Sequence, residues 1–215
     1  MSYTEMMPLQ NHLTTFSELD FEVTSPWCQP EISVRQTTPE NRSQASHLIR
    51  DQFKQRFGAT LAPEMADIYH GIDRSGECIA AFVANKSPEE FFVRHYIGDV
   101  VKTLRQKFGP GVNENNVVEL GHLSAAKCQV LKNLAPAIAE CFYSEGYRYL
   151  ICTATRSLRV FFARKHLAPI ILGPASESQL PESQQGIWGQ YYNHKPTVIA
   201  GDLDVALEQF HHGNG

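Results

Sequence analysis

The residue most at odds with its surroundings is Glu119, a carboxylate within the apolar run Val117-Val-Glu-Leu-Gly-His-Leu123. A carboxylate in such a strand is costly without a partner or a task. Burial also raises its proton affinity toward working pH, which suits a general base. The competing reading is a structural carboxylate paired with a nearby Arg or Lys. His122 follows at the expected strand end, where catalytic groups collect in open α/β sheets. Residues three apart on a strand point to opposite faces, so Glu119 and His122 converge only across a bulge. Otherwise His122 is a loop residue that caps the next helix. Ser124 to Gln129 would offer backbone N–H groups at a helix start to a pyrophosphate, with Lys127 adding a point charge. On the plainer reading Lys127 and Lys132 are solvated surface charges. Thr153, Thr155 and Arg156 follow a central strand, where hydroxyls orient an amide or, for Thr155, cap a helix. Trp188, Tyr191 and Tyr192 are an aromatic cluster with polar handles. It reads as a packed β-edge or as a pocket wall supplying an acid.

No HExxH, CxxC or spaced His/Asp set points to a metal, and His211-His212 reads as part of a flexible tail. The five cysteines, Cys28, Cys78, Cys128, Cys141 and Cys152, are odd in number and largely in apolar stretches. That fits reduced, buried thiols rather than a disulfide framework or a nucleophile. A net charge of −4 over 215 residues gives no field for nucleic acid or anionic lipid. The first thirty residues lack the basic cluster and apolar run of a signal peptide, and no stretch approaches a membrane span, so the expectation is cytoplasmic.

These residues need elements to position them. Glu31 to Gln36 alternates as a half-buried strand. Thr38-Pro-Glu40 opens a helix that closes at Gly58. Tyr69 to Ile72 and Cys78 to Ala84 flank Asp73-Arg-Ser-Gly76 as a hairpin. Ser87-Pro-Glu-Glu90 is a capping pattern for one helix through Phe91, Phe92, Tyr96, Val100 and Leu104. Asn116 to Leu123 is a strand. The helix of Gln129 to Ser144 is either kinked at Pro136 or begins near Asn133. Tyr149 to Ala154 is a buried strand, Ser157 to His166 a short helix carrying Arg159 and Arg164 on its exposed face, and Pro169 to Leu172 a strand. Trp188 to Ile199 reads as a last strand or hairpin interrupted at Pro196. Strands alternating with helices argue for an α/β (α+β) domain, a mixed sheet with helices on both faces. The divisions expected are an extension over 1–30, the domain over 31–205 and a flexible tail over 206–215.

Four stretches carry a family resemblance: Phe91-Phe-Val-Arg-His-Tyr-Ile97, Val118-Glu-Leu-Gly-His-Leu-Ser124, Cys152-Thr-Ala-Thr-Arg-Ser-Leu-Arg159 and Trp188-Gly-Gln-Tyr-Tyr-Asn-His-Lys-Pro196. Over roughly residues 60 to 202 the chain resembles the thermostable hemolysins, bacterial relatives of the GNAT acyltransferase fold, and more distantly the acyl-homoserine-lactone synthases. The resemblance implies a mostly antiparallel sheet with a splayed central strand pair. It also implies an acyl donor, acyl-CoA or the phosphopantetheine of an acyl carrier protein, and a small amine or similar acceptor. On that frame Glu119, His122 and Tyr191 are the catalytic candidates. Leu123, Ser124, Lys127, Thr153, Thr155, Arg156 and Phe162 would border the donor. The chain also departs from the pattern. His122 and Ser124 stand where the motif usually has asparagine and alanine, and Arg94 where it has an acid. No glycine falls between Leu123 and Lys132, where GNAT enzymes carry Q/R-x-x-G-x-G/A. Phe162 takes the place of the tyrosine that protonates the departing thiolate, with Thr155 in the frame's asparagine position. The alternatives are a membrane-active cytolysin, whose most apolar segment would be Phe91 to Leu104, and an acyl-binding sensor without turnover.

Overall fold

The computed structural model describes residues 32–63, 66–127 and 129–212; the expected extension over 1–30, with Cys28, and Cys128 lie outside that description. The chain folds as β1 (Ser33–Gln36), α1 (Pro39–Phe57), β2 (Ile68–Ile72), β3 (Cys78–Asn85), α2 (Arg94–Ile97), α3 (Val100–Phe108), β4 (Val117–Ala125), α4 (Val130–Ser144), β5 (Tyr149–Ala154), α5 (Arg156–Arg164), β6 (Ile170–Pro174), β7 (Thr197–Asp202) and α6 (Leu203–His212). The strands form one sheet in the order β1-β2-β3-β4-β5-β7-β6. Only the β4–β5 pair is parallel, so the sheet is mixed and mostly antiparallel.

Helices cover both faces. On one side Ala45, Ile49 and Phe53 of α1 pack with Ala81 and Val83, and Val101 and Leu104 of α3 pack with Val117 and Ile151. On the other, Leu134 and Ile138 of α4, Phe162 of α5 and Leu207 of α6 close over Phe82, Val118, Leu120 and Cys152. Alternate residues of β3 and β5 serve opposite layers, which is why both strands read as continuous apolar runs.

Three local expectations change, and one open alternative is decided. The single helix expected from Ser87 is split: turns lead into α2, Gly98 (φ 71°) breaks the chain, and Asp99 accepts from Lys102 N (2.9 Å) to cap α3. The positive φ suits glycine, and Asp at the N-cap satisfies an amide of the new helix better than a continued turn would. Pro136 lies inside α4, which starts at Val130 rather than near Asn133. The carbonyl that proline's missing N–H cannot serve is that of Lys132, an exposed residue. Trp188 to Pro196 is not extended: a turn and a 3-10 helix over Tyr191–His194 precede β7. Finally, residues 206–212 continue α6 instead of forming a tail. Asp202 Oδ1 accepts from Asp204 N (2.9 Å) at its start, and Leu207 and Phe210 pack against the layer that contains α4.

Candidate active site

The parallel pair sets the geometry. β4 and β5 pair only over Val117–Leu120 and Tyr149–Cys152. Beyond Leu120, β4 continues with β3 alone, and β5 continues with β7 alone. The two strands part at the centre of the sheet.

The parting coincides with a bulge. Between Ala81 and Val83 of β3 the register spans Ser124 to Gly121 on β4, one residue more. His122 absorbs the extra residue with φ 54°. Val118, Leu120, Leu123 and Ala125 therefore keep to the α4 side. Glu119 and His122 both face the α1–α3 side, the convergence that an unbulged strand forbids.

Glu119 is 2% exposed. Its Oε2 accepts from Asn85 Nδ2 (2.9 Å) and from the amide of Phe92, and its Oε1 accepts from Val93 N (2.9 Å). The partners are neutral donors, not the Arg or Lys of the structural alternative. Burial pushes the carboxyl up to about 6, against the pull of these three bonds.

His122 stacks on Trp188 with centroids 5.4 Å apart and planes 19° apart, and tilts against Phe53 at 5.6 Å. Its Nδ1 is covered and has no hydrogen-bond partner, as does Trp188 Nε1. Desolvation pushes the imidazole down to about 4, so the ring is neutral at pH 7.

Tyr191 reaches the gap from the same aromatic layer. Leu203 N donates to Arg148 O (2.9 Å), so the even-numbered peptides of β5 face β7 and the Thr153 peptide faces the side that β4 has left. The Tyr191 hydroxyl donates to that Thr153 carbonyl at 3.1 Å. Burial holds the phenol well above its usual range, with Cys152 and Tyr192 adding to the effect. The segment that carries it is pinned: Gln190 N donates to Phe57 O (2.7 Å) and Thr60 N to Ile187 O (2.7 Å). Gly189 has φ 55°, and a Cβ there would lie 2.1 Å from Phe57 O.

The donor-side residues separate. Leu123 and Phe162 face the α4 side, where they line a cavity of about 320 Å³. Ser124 is buried within β4 and donates to His122 O (3.0 Å), so it does not open the α4 helix start. Lys127 is exposed in the turn toward α4, and Arg156 is exposed as the first residue of α5. Thr155 holds the N-cap position of α5 but its hydroxyl makes no capping bond; its carbonyl accepts from Arg159 N (3.1 Å). Arg159 is not a free phosphate ligand, since its guanidinium donates to the carbonyls of Ala154 (3.1 Å) and Lys195 (3.2 Å) and to Thr197 Oγ1.

Sequence reasoning missed Asn85 and the Tyr96–Tyr192 hydroxyl pair. Asn85 stands opposite Glu119 in the β3–β4 register, a pairing that a strand alignment would have found. Cys152 is buried, and its thiol is pushed up to about 12, so it is no nucleophile. No group of side chains that could hold a metal occurs among the described residues.

A mixed seven-stranded sheet with its central parallel pair parted is the GNAT-like fold. FeeM, an N-acyl amino acid synthase from uncultured soil microbes, superposes with a TM-score of 0.55 at 12% identity, covering 82% of this chain and 93% of that one. The AHL synthase LasI gives 0.54 at 12% identity, covering 81% and 91%. TofI, in a ternary complex with an inhibitor and MTA, gives 0.55 at 17%, covering 84% and 96%. At these identities the likeness is one of fold. No curated protein matches the sequence. The thermostable hemolysin family model matches residues 35–207, and the chain belongs to that family.

Proposed function

We propose that the chain is an acyltransferase, moving an acyl group from a thioester of coenzyme A or of an acyl carrier protein to a small amine or similar acceptor. The observation that carries this is the parting of β4 from β5 beside Glu119, His122 and Tyr191. A thioester laid in the gap meets the peptide edge of Thr153. The acceptor ammonium gives up a proton, its nitrogen attacks the carbonyl carbon, and the C–S bond breaks to release a thiolate that takes a proton.

His122 is the base in this reading, because its ring stays neutral beside the gap. Glu119 has both oxygens engaged, so it serves first to hold the β4 bend and the Phe92–Val93 turn. Tyr191 stays a phenol and is the acid that Phe162 cannot be. Leu123, Ser124, Thr153 and Thr155 border the donor, with Lys127 and Arg156 as exposed cations at the two helix starts. The segment without glycine before α4 favours a carrier-protein donor as readily as coenzyme A.

The test is thiol release from acyl-CoA and acyl-carrier thioesters with a panel of primary amines. Turnover lost in His122→Asn but kept in Glu119→Gln assigns the base to His122; the reverse assigns it to Glu119. No cleavage of either donor class by the wild-type chain removes the proposal. A direct lytic role needs an exposed apolar element. The most apolar candidate segment is core instead: Phe91, Val93 and Leu104 are each 0% exposed. No described helix is long and apolar enough to cross a membrane.

A further inference from the structure

On the α4 side of the sheet, directly beneath the parted strands, lies the cavity of about 320 Å³. Leu120 and Cys152, the last pair before the strands separate, form part of its wall. Leu123 lies just past the fork, and Leu158, Phe162 and Phe210 close the cavity from α5 and α6. Its lining is mostly apolar, with Asp202 and Gln209 as the polar side chains among it, and Asp202 already accepts from the amides at the start of α6. Its size is at the lower end for a ligand site. If a methylene is given roughly the volume of a water molecule in the liquid, about 30 Å³, the cavity takes on the order of ten carbons. An acetyl group would leave nearly all of it empty, and empty apolar space is destabilising.

We infer that this cavity holds the hydrocarbon chain of a medium- to long-chain acyl donor, and that membrane lysis in this family is the work of the acylated product rather than of the polypeptide. The inference rests on the acyl-transfer reading above. The reacting carbonyl sits in the gap, its chain passes to the α4 side, and the acceptor approaches from the side of His122 and Tyr191. The reaction balances as thioester plus primary amine giving amide plus free thiol, with no other reactant. The amide joins a chain of about ten carbons to a polar head, which is a surfactant. A folded chain loses its activity when heat unfolds it, whereas such an amide has no fold to lose. A lytic activity that survives heating is therefore chemically at home in the product. The buried state of Phe91 to Leu104 takes away the polypeptide's own candidate for the task.

Two measurements test the two halves. Calorimetric titration of the full chain with saturated fatty acids from acetate to hexadecanoate should show affinity rising about fourfold per methylene and levelling near ten carbons. Ala206→Phe on α6 and Ala135→Phe on α4, both at the cavity wall, should each weaken dodecanoate binding at least tenfold. Circular dichroism selects the variant that stays folded. Affinity independent of chain length, or unchanged in a folded variant, overturns the cavity assignment; turnover of acetyl-CoA would then still leave acyl transfer standing. For the second half, a boiled solvent extract of bacteria producing the chain should lyse washed erythrocytes. An extract of the same bacteria without the chain should not, nor should the purified chain free of donor. Lysis by the purified chain, or an inactive extract, overturns the product as the lytic agent. Chain-length-dependent binding without cleavage of any thioester would overturn it too, and with it the acyl-transfer reading.

Discussion

The hydroxyl of Tyr191 donates to the carbonyl of Thr153 at 3.1 Å, across 38 residues of sequence. That carbonyl lies on the β5 edge that β4 has abandoned, so a side chain stands in for a strand. Removing the hydroxyl in Tyr191→Phe takes the tyrosine's hydrogen bond from this part-buried carbonyl, which costs about 1–3 kcal/mol. On the proposed assignment a general acid is also lost, so kcat should fall about 100-fold or more. Denaturant titration and steady-state thiol release read the two effects separately. A stability loss with kcat intact would make Tyr191 structural alone.

Tyr191 depends in turn on Gly189. A methyl at that position meets the Phe57 carbonyl at 2.1 Å while the backbone holds φ 55°. Gly189→Ala must displace the turn from the end of α1, and with it the Trp188–His122 stack. We expect a loss of about 3 kcal/mol or more, seen as a lower Tm. Trp188 fluorescence should shift as its environment opens. A variant with wild-type Tm and emission would contradict this turn.

Much of this arrangement was legible in the sequence, and the reasons it was not elsewhere are physical. Glu119 stood out because a single carboxylate in an apolar strand is expensive. β3 and β5 stood out because strands covered on both faces lose their alternation. The bulge at His122 gave no local sign, since histidine adopts positive φ more readily than most residues but still only occasionally. The partners of Glu119 are amides 26 and 27 residues away, beyond any periodicity. Trp188 to Pro196 mimicked a strand because aromatic residues favour strands. Its true conformation is fixed by contacts to α1 that are remote in sequence. α6 was hidden because its apolar residues, Leu203, Leu207 and Phe210, are interspersed with acids and histidines that read as a tail.

Two imidazoles should make the fold acid-sensitive. His70 is 3% exposed with neither ring nitrogen partnered, and burial lowers its proton affinity. His122 is pushed down to about 4 by the same cause. Each folded-state value lies below the ordinary 6.5, so the unfolded chain binds more protons between them. Stability is then full above about pH 6.5 and is lost as the pH falls toward 4. Asparagine tolerates the positive φ at 122, so His122→Asn should keep the bulge and flatten the fall in Tm from pH 6.5 to 4. His70→Leu should flatten it further, because an apolar side chain of similar size leaves nothing unpaired. Unchanged pH profiles in both variants would show that neither ring is held neutral.

Glu119 acts in the opposite sense. Its folded-state value of about 6 lies above the ordinary 4.5, so the folded chain is the better proton binder in that window. Its share of stability is present below about pH 4.5 and is lost as the pH rises through 6, by about 2 kcal/mol in all. Glu119→Gln removes this dependence. Its amide, however, has one acceptor oxygen for three donors and turns an NH₂ toward backbone N–H groups. At pH 7 the variant should be less stable by about 1–3 kcal/mol. Urea titrations of both proteins at pH 5 and pH 7 should show the wild type gaining less stability between the two than the variant, since the contribution of the two imidazoles is common to both.

The resemblance to the acyltransferase frame puts Phe162 at the position of that frame's acidic tyrosine. Phe162 sits on the cavity side of the parted strands, and Tyr191 on the other. If Tyr191 protonates the leaving thiolate, a hydroxyl added in Phe162→Tyr should not raise kcat, since that step already has its acid. It should weaken donors with long chains several-fold, because a phenol oxygen enters apolar space without a partner. In the Tyr191→Phe background the same substitution offers the thiolate a proton from the opposite face. It should then restore part of the lost kcat, about tenfold of a 100-fold deficit. Thiol-release kinetics on the two single variants and the double variant give that coupling directly. Strict additivity, with no recovery in the double variant, would place the leaving sulfur out of reach of position 162 and break the correspondence with the acyltransferase frame there.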